Sequence, residues 1–122
     1  MLATSLAMVF AYAQGPWPVP DKAAKTPNPV KTSAASVSEG KALWSKHCQS
    51  CHGKAGEGDG SKAAQLKTQP VSFAKAEFQQ QTDGAIFYKT SEGRGDMPSF
   101  KKKLTEPEDI WNLVNFIRTL KK

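Results

Sequence analysis

Cysteine, histidine and methionine are scarce in this chain: of 122 residues, two are Cys, two are His and three are Met. Both cysteines sit in one pentapeptide, Cys48-Gln49-Ser50-Cys51-His52, so none is left for a disulfide to a distant segment or for a lipid anchor. No second ligand pair stands further along, as a tetrahedral zinc site would need. No strand pattern is present, which removes the βαβ setting of a thioredoxin-like redox pair. Residues 53–60 are rich in glycine but lack the Gly-Lys-Ser/Thr ending of a P-loop, so they read as a tight loop and not as a phosphate cradle. The apolar stretch at residues 1–13 is shorter than the ~20 residues a membrane helix needs, so no stable membrane insertion of the mature chain is expected. The charge is unbalanced: 17 Lys and Arg against 11 Asp and Glu give +6. The lysines are dispersed and no nucleic-acid-binding motif occurs, so nucleic acid is not the expected partner. An acidic protein surface, reached by electrostatic steering, is. A chain of 122 residues holds one small domain.

What the chain does contain is organised around residues 48–52. Two cysteines three apart, followed at once by histidine, form the c-type haem attachment pattern. Each thiol adds across one vinyl group of haem b and makes a thioether. A two-residue spacer on a helical turn brings both sulfurs to the edge of one porphyrin. The next residue lies under the ring, where an imidazole nitrogen reaches the iron. Cys48 and Cys51 are therefore the candidate covalent haem attachments, His52 is the candidate proximal iron ligand, and one haem c is the expected cofactor. A simple Cys48–Cys51 disulfide is the alternative in a chain to which haem is never attached.

Residues 1–13 are uncharged, and Ala11-Tyr12-Ala13 has the small-x-small form of a signal-peptidase site. No Lys or Arg precedes the apolar part. The reading is a clipped signal segment cleaved after Ala13, with an ordinary N-terminus as the alternative. Haem attachment of this type occurs outside the cytoplasm, so a periplasmic or otherwise exported protein is expected. Residues 14–35 hold five of the eight prolines, Pro16, Pro18, Pro20, Pro27 and Pro29. Such a segment predicts an extended, polyproline-like arm, neither helix nor central strand. Trp17 and Val19 are expected to anchor it on the domain, which occupies residues 36–122.

A first helix is predicted over about 37–49, capped by Ser36 or Ser38, with Ser36 and Glu39 as a capping box. Val37, Gly40, Trp44 and Cys48 recur on one face. Gly40 in mid-helix costs about 1 kcal/mol against alanine, so a close helix–helix contact is expected there. Leu66, Val71, Phe73 and Phe78 are expected core or haem-pocket groups. A short helix starts at Asp83, carries Ile86 and Phe87, and ends near Gly93. The last helix is expected to be capped by Thr105, with Glu108 closing a capping box. Its apolar stripe is Ile110, Leu113, Val114, Ile117 and Leu120, flanked by Trp111 and Phe116. Asp109, Asn112, Asn115 and Arg118 are assigned to the wet face.

Met1 and Met8 lie in the expected signal, so Met97 is the only thioether of the mature chain. The Arg94-Gly95-Asp96 before it looks like a cell-adhesion tripeptide, but three residues are a weak signal. Pro98 biases Met97 toward an extended backbone, which suits a loop that presents a side chain. His47 adjoins Cys48 and points away from the face that His52 uses, which sets bis-histidine ligation aside. The residues leave two choices: His52 with Met97, or His52 with an open sixth site.

Residues 36–122 resemble the class I, mono-haem c-type cytochromes. The resemblance rests on the motif at 48–52, on Met97-Pro98, and on the Trp-x-Leu-Val-x-Phe-Ile helix that starts at Trp111. It implies an all-α cytochrome c fold, with N- and C-terminal helices crossing beside a covalently bound haem. Here an extended proline-rich N-terminal arm precedes that fold. Gly40 and Trp44 match the family's residues at the crossing, opposite Leu113 and Phe116. His52 matches the proximal ligand and Met97 the distal one. The second ring nitrogen of His52 is expected to donate to a backbone carbonyl, with Pro70 the residue the resemblance points to.

With both axial positions filled, the expected function is electron transfer and not catalysis. Lys101, Lys102 and Lys103, with Lys54 and Arg94, are expected to rim the exposed haem edge. They would dock on an acidic patch of an oxidase, a cytochrome complex or a dehydrogenase. A monomeric diffusible shuttle and a fixed electron-relay subunit of a larger oxidoreductase complex both remain open. A haem sensor or peroxidase with an open sixth site is the third reading.

Overall fold

The computed structural model describes residues 16–122, and the expected signal segment at 1–13 lies outside them. Its helices are α1 (Asp21–Ala24), α2 (Ala34–His47), α3 (Gln49–His52), α4 (Ala76–Gln79), α5 (Asp83–Glu92) and α6 (Pro107–Arg118). Single 3₁₀ turns lie at Ala63–Gln65 and Phe100–Lys102. Among the described residues the one extended pairing is an isolated bridge between Arg94 and Met97. The fold is all-α, as the family resemblance implies. Among the described residues no helix is long and apolar enough to cross a membrane.

The principal packing is α2 across α6. Ile110, Leu113, Val114 and Ile117 of α6 are each at most 3% exposed, so the apolar stripe is buried, as are the residues between them. Gly40 marks the crossing point. A Cβ there would fall on the Asn112 carbonyl oxygen and within 2.7 Å of Phe116 Cβ. The glycine thus lets one helix backbone touch the other. Trp44, one turn further along α2, packs on Phe116 with ring centroids 5.6 Å apart.

The helix starts differ from the expected ones. α2 begins earlier, with Ser33 as its N-cap, whose side chain accepts the Ser36 N–H at 3.1 Å. Ser36 is inside the helix and buried; it donates to Asn112 Oδ1 at 2.7 Å and accepts from Asn115 Nδ2 at 2.8 Å. Asn112 and Asn115 are therefore not on the wet face; they are 8% and 3% exposed. Asn115 also donates to the Val30 carbonyl at 3.1 Å and accepts from Asn28 Nδ2 at 2.9 Å. Burial of these amides is tolerated because both ends of the Asn115 side chain, and the Asn112 oxygen, are bonded. Pro107 opens α6 one residue later than expected, which leaves Thr105 outside capping reach and Glu106 at the N-cap position without a side-chain bond.

The arm also departs from a purely extended chain, since α1 gives it one helical turn. It runs over α5 and α6. The Thr82 hydroxyl donates to the Ala24 carbonyl at 2.5 Å, and the Asn28–Asn115 bond ties the following stretch to α6. At the other end the Trp17 ring stacks with the Arg94 guanidinium, 4.5 Å from the ring centroid. Trp17 and Val19 are both half-buried.

Candidate haem-binding site

The site begins where α2 ends. The Cys48 N–H bonds to the Trp44 carbonyl at 2.9 Å, and the Cys48 carbonyl accepts from Cys51 at 3.2 Å and from His52 at 2.9 Å. One helical turn thus joins Cys48, Cys51 and His52, and side chains at this spacing share a face. Both thiols are free, Cys48 buried and Cys51 half-buried. Gly53 then stops the helix at φ 86°, a conformation that side chains with a Cβ rarely adopt. Trp44 Nε1 donates to the Gly53 carbonyl at 3.1 Å and pins this turn to α2. The loop returns through a bond from the Phe73 N–H to the Gly56 carbonyl at 2.7 Å. That sets the Phe73 ring 4.7 Å from the His52 ring, with Trp44 5.7 Å away.

Burial controls the protonation of the motif. It pushes the Cys48 thiol up to about 12, with the neighbouring Cys51 acting in the same direction. A thiol held protonated is a poor zinc ligand and a poor disulfide-exchange nucleophile. Burial pulls the His52 imidazole down to about 4, so the ring is neutral near pH 7 and keeps a lone pair for a metal. Its Nδ1 is buried and has no hydrogen-bond partner among the described residues. The expected bond to the Pro70 carbonyl is therefore not formed. That carbonyl instead faces Gly58, where a Cβ would collide with it.

The Met97 loop is built as firmly. Gly93 ends α5 at φ 67°, and a Cβ there would come within 2.6 Å of the Met97 carbonyl oxygen. Arg94 and Met97 exchange both backbone hydrogen bonds at 3.0 Å, making Gly95-Asp96 a two-residue turn. Asp96 Oδ2 accepts the Lys67 N–H at 2.9 Å, and the Ser99 hydroxyl donates to the Ser91 carbonyl at 2.8 Å. Arg94 and Asp96 are thus committed within the fold, so the adhesion-like tripeptide is a structural turn. The Met97 side chain is half-buried and packs on the same apolar core that contains Cys48.

Around these residues, His47 packs edge-on against Phe100 with centroids 5.9 Å apart. Burial, then Lys46 and Lys103, lower its pKa. Lys54, Lys101, Lys102 and Lys103 are exposed, with Lys101 paired to Glu92 at 2.9 Å. Arg94 is half-buried against Trp17, a partner that sequence reasoning did not assign to it. Val71, expected in the core, is 63% exposed. Phe78 is where it was expected, stacked on Phe73 at 4.0 Å.

Residues 35–117 match the family described as "Cytochrome C oxidase, cbb3-type, subunit III". No curated protein matched the chain in sequence. Among solved structures, the chain is similar to the KustC0563 c-type cytochrome at 36% identity and a TM-score of 0.59, over 68% of this chain and 98% of that one. It is similar in fold to a chain of the Kuenenia stuttgartiensis reducing HAO-like protein complex Kustc0457/Kustc0458, with a TM-score of 0.71, 23% identity and 89% of this chain covered. Cytochrome CL from the marine methylotrophic bacterium Methylophaga aminisulfidivorans matches with a TM-score of 0.56, 20% identity and 72% of this chain covered. This chain spans 52% and 55% of the length of those last two proteins.

The residues present fit the family's cofactor. Two free thiols lie one helical turn apart, beside a neutral imidazole with an unpartnered, buried nitrogen. A thioether on a fixed loop packs on the same core. The cofactor is a covalently bound haem c, and its role is electron transfer. With its single Cys-x-x-Cys-His motif, the chain is a mono-haem c-type cytochrome and belongs to the family described as cytochrome c oxidase, cbb3-type, subunit III.

Proposed function

We propose that this protein is a one-electron carrier, not an enzyme. In this reading Cys48 and Cys51 would hold the haem through thioethers, and His52 and Met97 would ligate its iron. When bound, the haem supplies a one-electron iron couple. The remaining work belongs to the chain. Trp44 and Phe73 fix the His52 ring by contact on its faces and edges. The Arg94–Met97 pairing and the Gly93 turn hold the thioether in place, and a thioether ligand favours the reduced metal. The observation that carries the proposal is Met97 itself. It is the one methionine among the described residues, it stands on a cross-braced loop, and it packs on the core that holds Cys48. A filled sixth position leaves no coordination site for a substrate.

The protein acts outside the cytoplasm, where haem attachment of this kind takes place, and its lysines meet an acidic patch on an oxidase, a cytochrome complex or a dehydrogenase. A second reading, a fixed relay subunit, is favoured by the family description, which names an oxidase subunit. Co-purification of native protein separates the two: a lone species of this chain's size, with no partner chain, supports the shuttle. The test of the proposal is carbon monoxide binding to the reduced protein. No uptake is expected. Rapid uptake by a high-spin haem would overturn it and bring a sensor or peroxidase forward.

A further inference from the structure

The proline-rich arm ends on the Met97 loop. Trp17 offers its ring to the Arg94 guanidinium at 4.5 Å, with Lys89 Nζ 5.8 Å from the same ring, and Arg94 Nη1 donates to the Pro16 carbonyl at 3.3 Å. The backbone of that same Arg94 makes both hydrogen bonds to Met97. The contact is thus one residue removed from the thioether's own backbone. The arm's other end is fixed to different elements. Ala24 is held by Thr82, and Asn28 by Asn115 of α6. The segment is therefore a strap, tied at one end to the α5–α6 framework and at the other to the distal loop.

We infer that the Trp17–Arg94 contact is a clamp that keeps Met97 on the iron, so that Trp17 is a positioning residue for the distal ligand. The inference rests on the His52/Met97 reading above. Its physical basis is a population argument. If Met97 leaves the iron in a minor fraction of molecules, an added ligand binds only that fraction, and its apparent affinity scales with it. A cation–π contact at a partly exposed site biases such a loop equilibrium by about 2- to 5-fold. The Gly93 turn, the Arg94–Met97 pairing and the Asp96–Lys67 bond remain when the indole is lost, so the loop loosens without the domain unfolding.

The experiment is an imidazole titration of the oxidised, haem-loaded protein at fixed pH, followed by the near-red absorption band of sulfur-ligated ferric haem. Wild type, Trp17→Ala and Trp17→Phe are compared, with far-UV melting curves of each. Trp17→Ala is expected to bind imidazole about 3-fold more tightly than wild type, with a melting temperature lowered by no more than about 4 °C, the loss of the contact itself. Trp17→Phe, which keeps an aromatic face for Arg94, is expected to stay close to wild type. Equal affinities for wild type and Trp17→Ala, with the band intact in both, would overturn the clamp alone. So would a shift shared equally by Trp17→Phe, or one that follows a drop in melting temperature beyond about 4 °C. A wild type that lacks the band before any imidazole is added would sink the Met97 ligation itself, and the clamp with it.

Discussion

Replacing Gly40 with alanine tests the packing on which the site is built. In an isolated helix the change is favourable by about 1 kcal/mol. In this fold the new Cβ would fall on the Asn112 carbonyl oxygen, 2.8 Å from its carbonyl carbon and 2.7 Å from Phe116 Cβ. Two of these are backbone atoms and cannot rotate away, so α2 and α6 must separate. Overpacking a tight site costs about 1–3 kcal/mol, and a backbone obstacle places this one at the upper end. Separation also loosens the Trp44–Phe116 contact and stretches the Ser36–Asn112 bond of 2.7 Å. After the helix gain, the net loss is about 2 kcal/mol, or a fall of about 8 °C in Tm for a domain of this size. Far-UV thermal melts of the haem-loaded protein read it directly. An unchanged or higher Tm would refute the reasoning. The background matters as well: in Phe116→Ala the Asn112 oxygen is still there, so the penalty should persist. A penalty that vanished there would move the obstacle from the backbone to the ring.

Four further outcomes are expected. Asn115→Ala leaves the Val30 carbonyl and the Ser36 hydroxyl each short of a donor, so urea unfolding should report a loss of about 2–3 kcal/mol; a loss under about 0.5 would mean that water replaces the amide. Trp44→Phe keeps an aromatic ring but removes the donor to Gly53 and leaves part of the buried indole's volume empty, which should cost about 2–3 kcal/mol in the same assay. His52 has a folded pKa of about 4 against its ordinary 6.5, so the unfolded chain takes up a proton first as the solution is acidified. Stability present above pH 6.5 is lost between 6.5 and 4, by up to about 3 kcal/mol, and iron competes with the proton in the same sense. Urea midpoints at pH 7 and pH 4.5 check the sign, and equal midpoints contradict it. Finally, Lys102→Glu with Lys103→Glu should slow reaction with an acidic redox partner about 10-fold at low salt and flatten the salt dependence; stopped-flow rates that ignore both changes would remove the basic rim.

Legibility in the sequence followed the chemistry of each residue. That Cys48, Cys51 and His52 share one helical turn was readable, because covalent haem attachment dictates residue type and spacing together. Gly40 was readable because a glycine in mid-helix is costly without a contact, and the contact is there. Asn112 and Asn115 were misassigned because periodicity treats amides as surface groups. What buries them is a hydrogen-bond partner 76 residues away for Asn112 and others 79 to 87 away for Asn115, which no local pattern encodes. The caps were misplaced for a related reason: Ser33 and Ser36 are equally good caps in isolation, and the tertiary bond to Asn112 decides between them. Trp17 was readable as an anchor, but its partner was not, since Arg94 lies far along the chain and belonged on paper to the solvent-facing rim.

The measurement that bears most directly on the central proposal is the absorption spectrum of protein matured in a host that attaches haem c, recorded oxidised and then reduced, for wild type and for Met97→Ala. The expected result is a weak near-red band of sulfur-to-ferric-iron ligation in the oxidised wild type and its disappearance in the variant. A band absent from wild type, or unchanged in Met97→Ala, would contradict the assignment of His52 and Met97 as the axial pair.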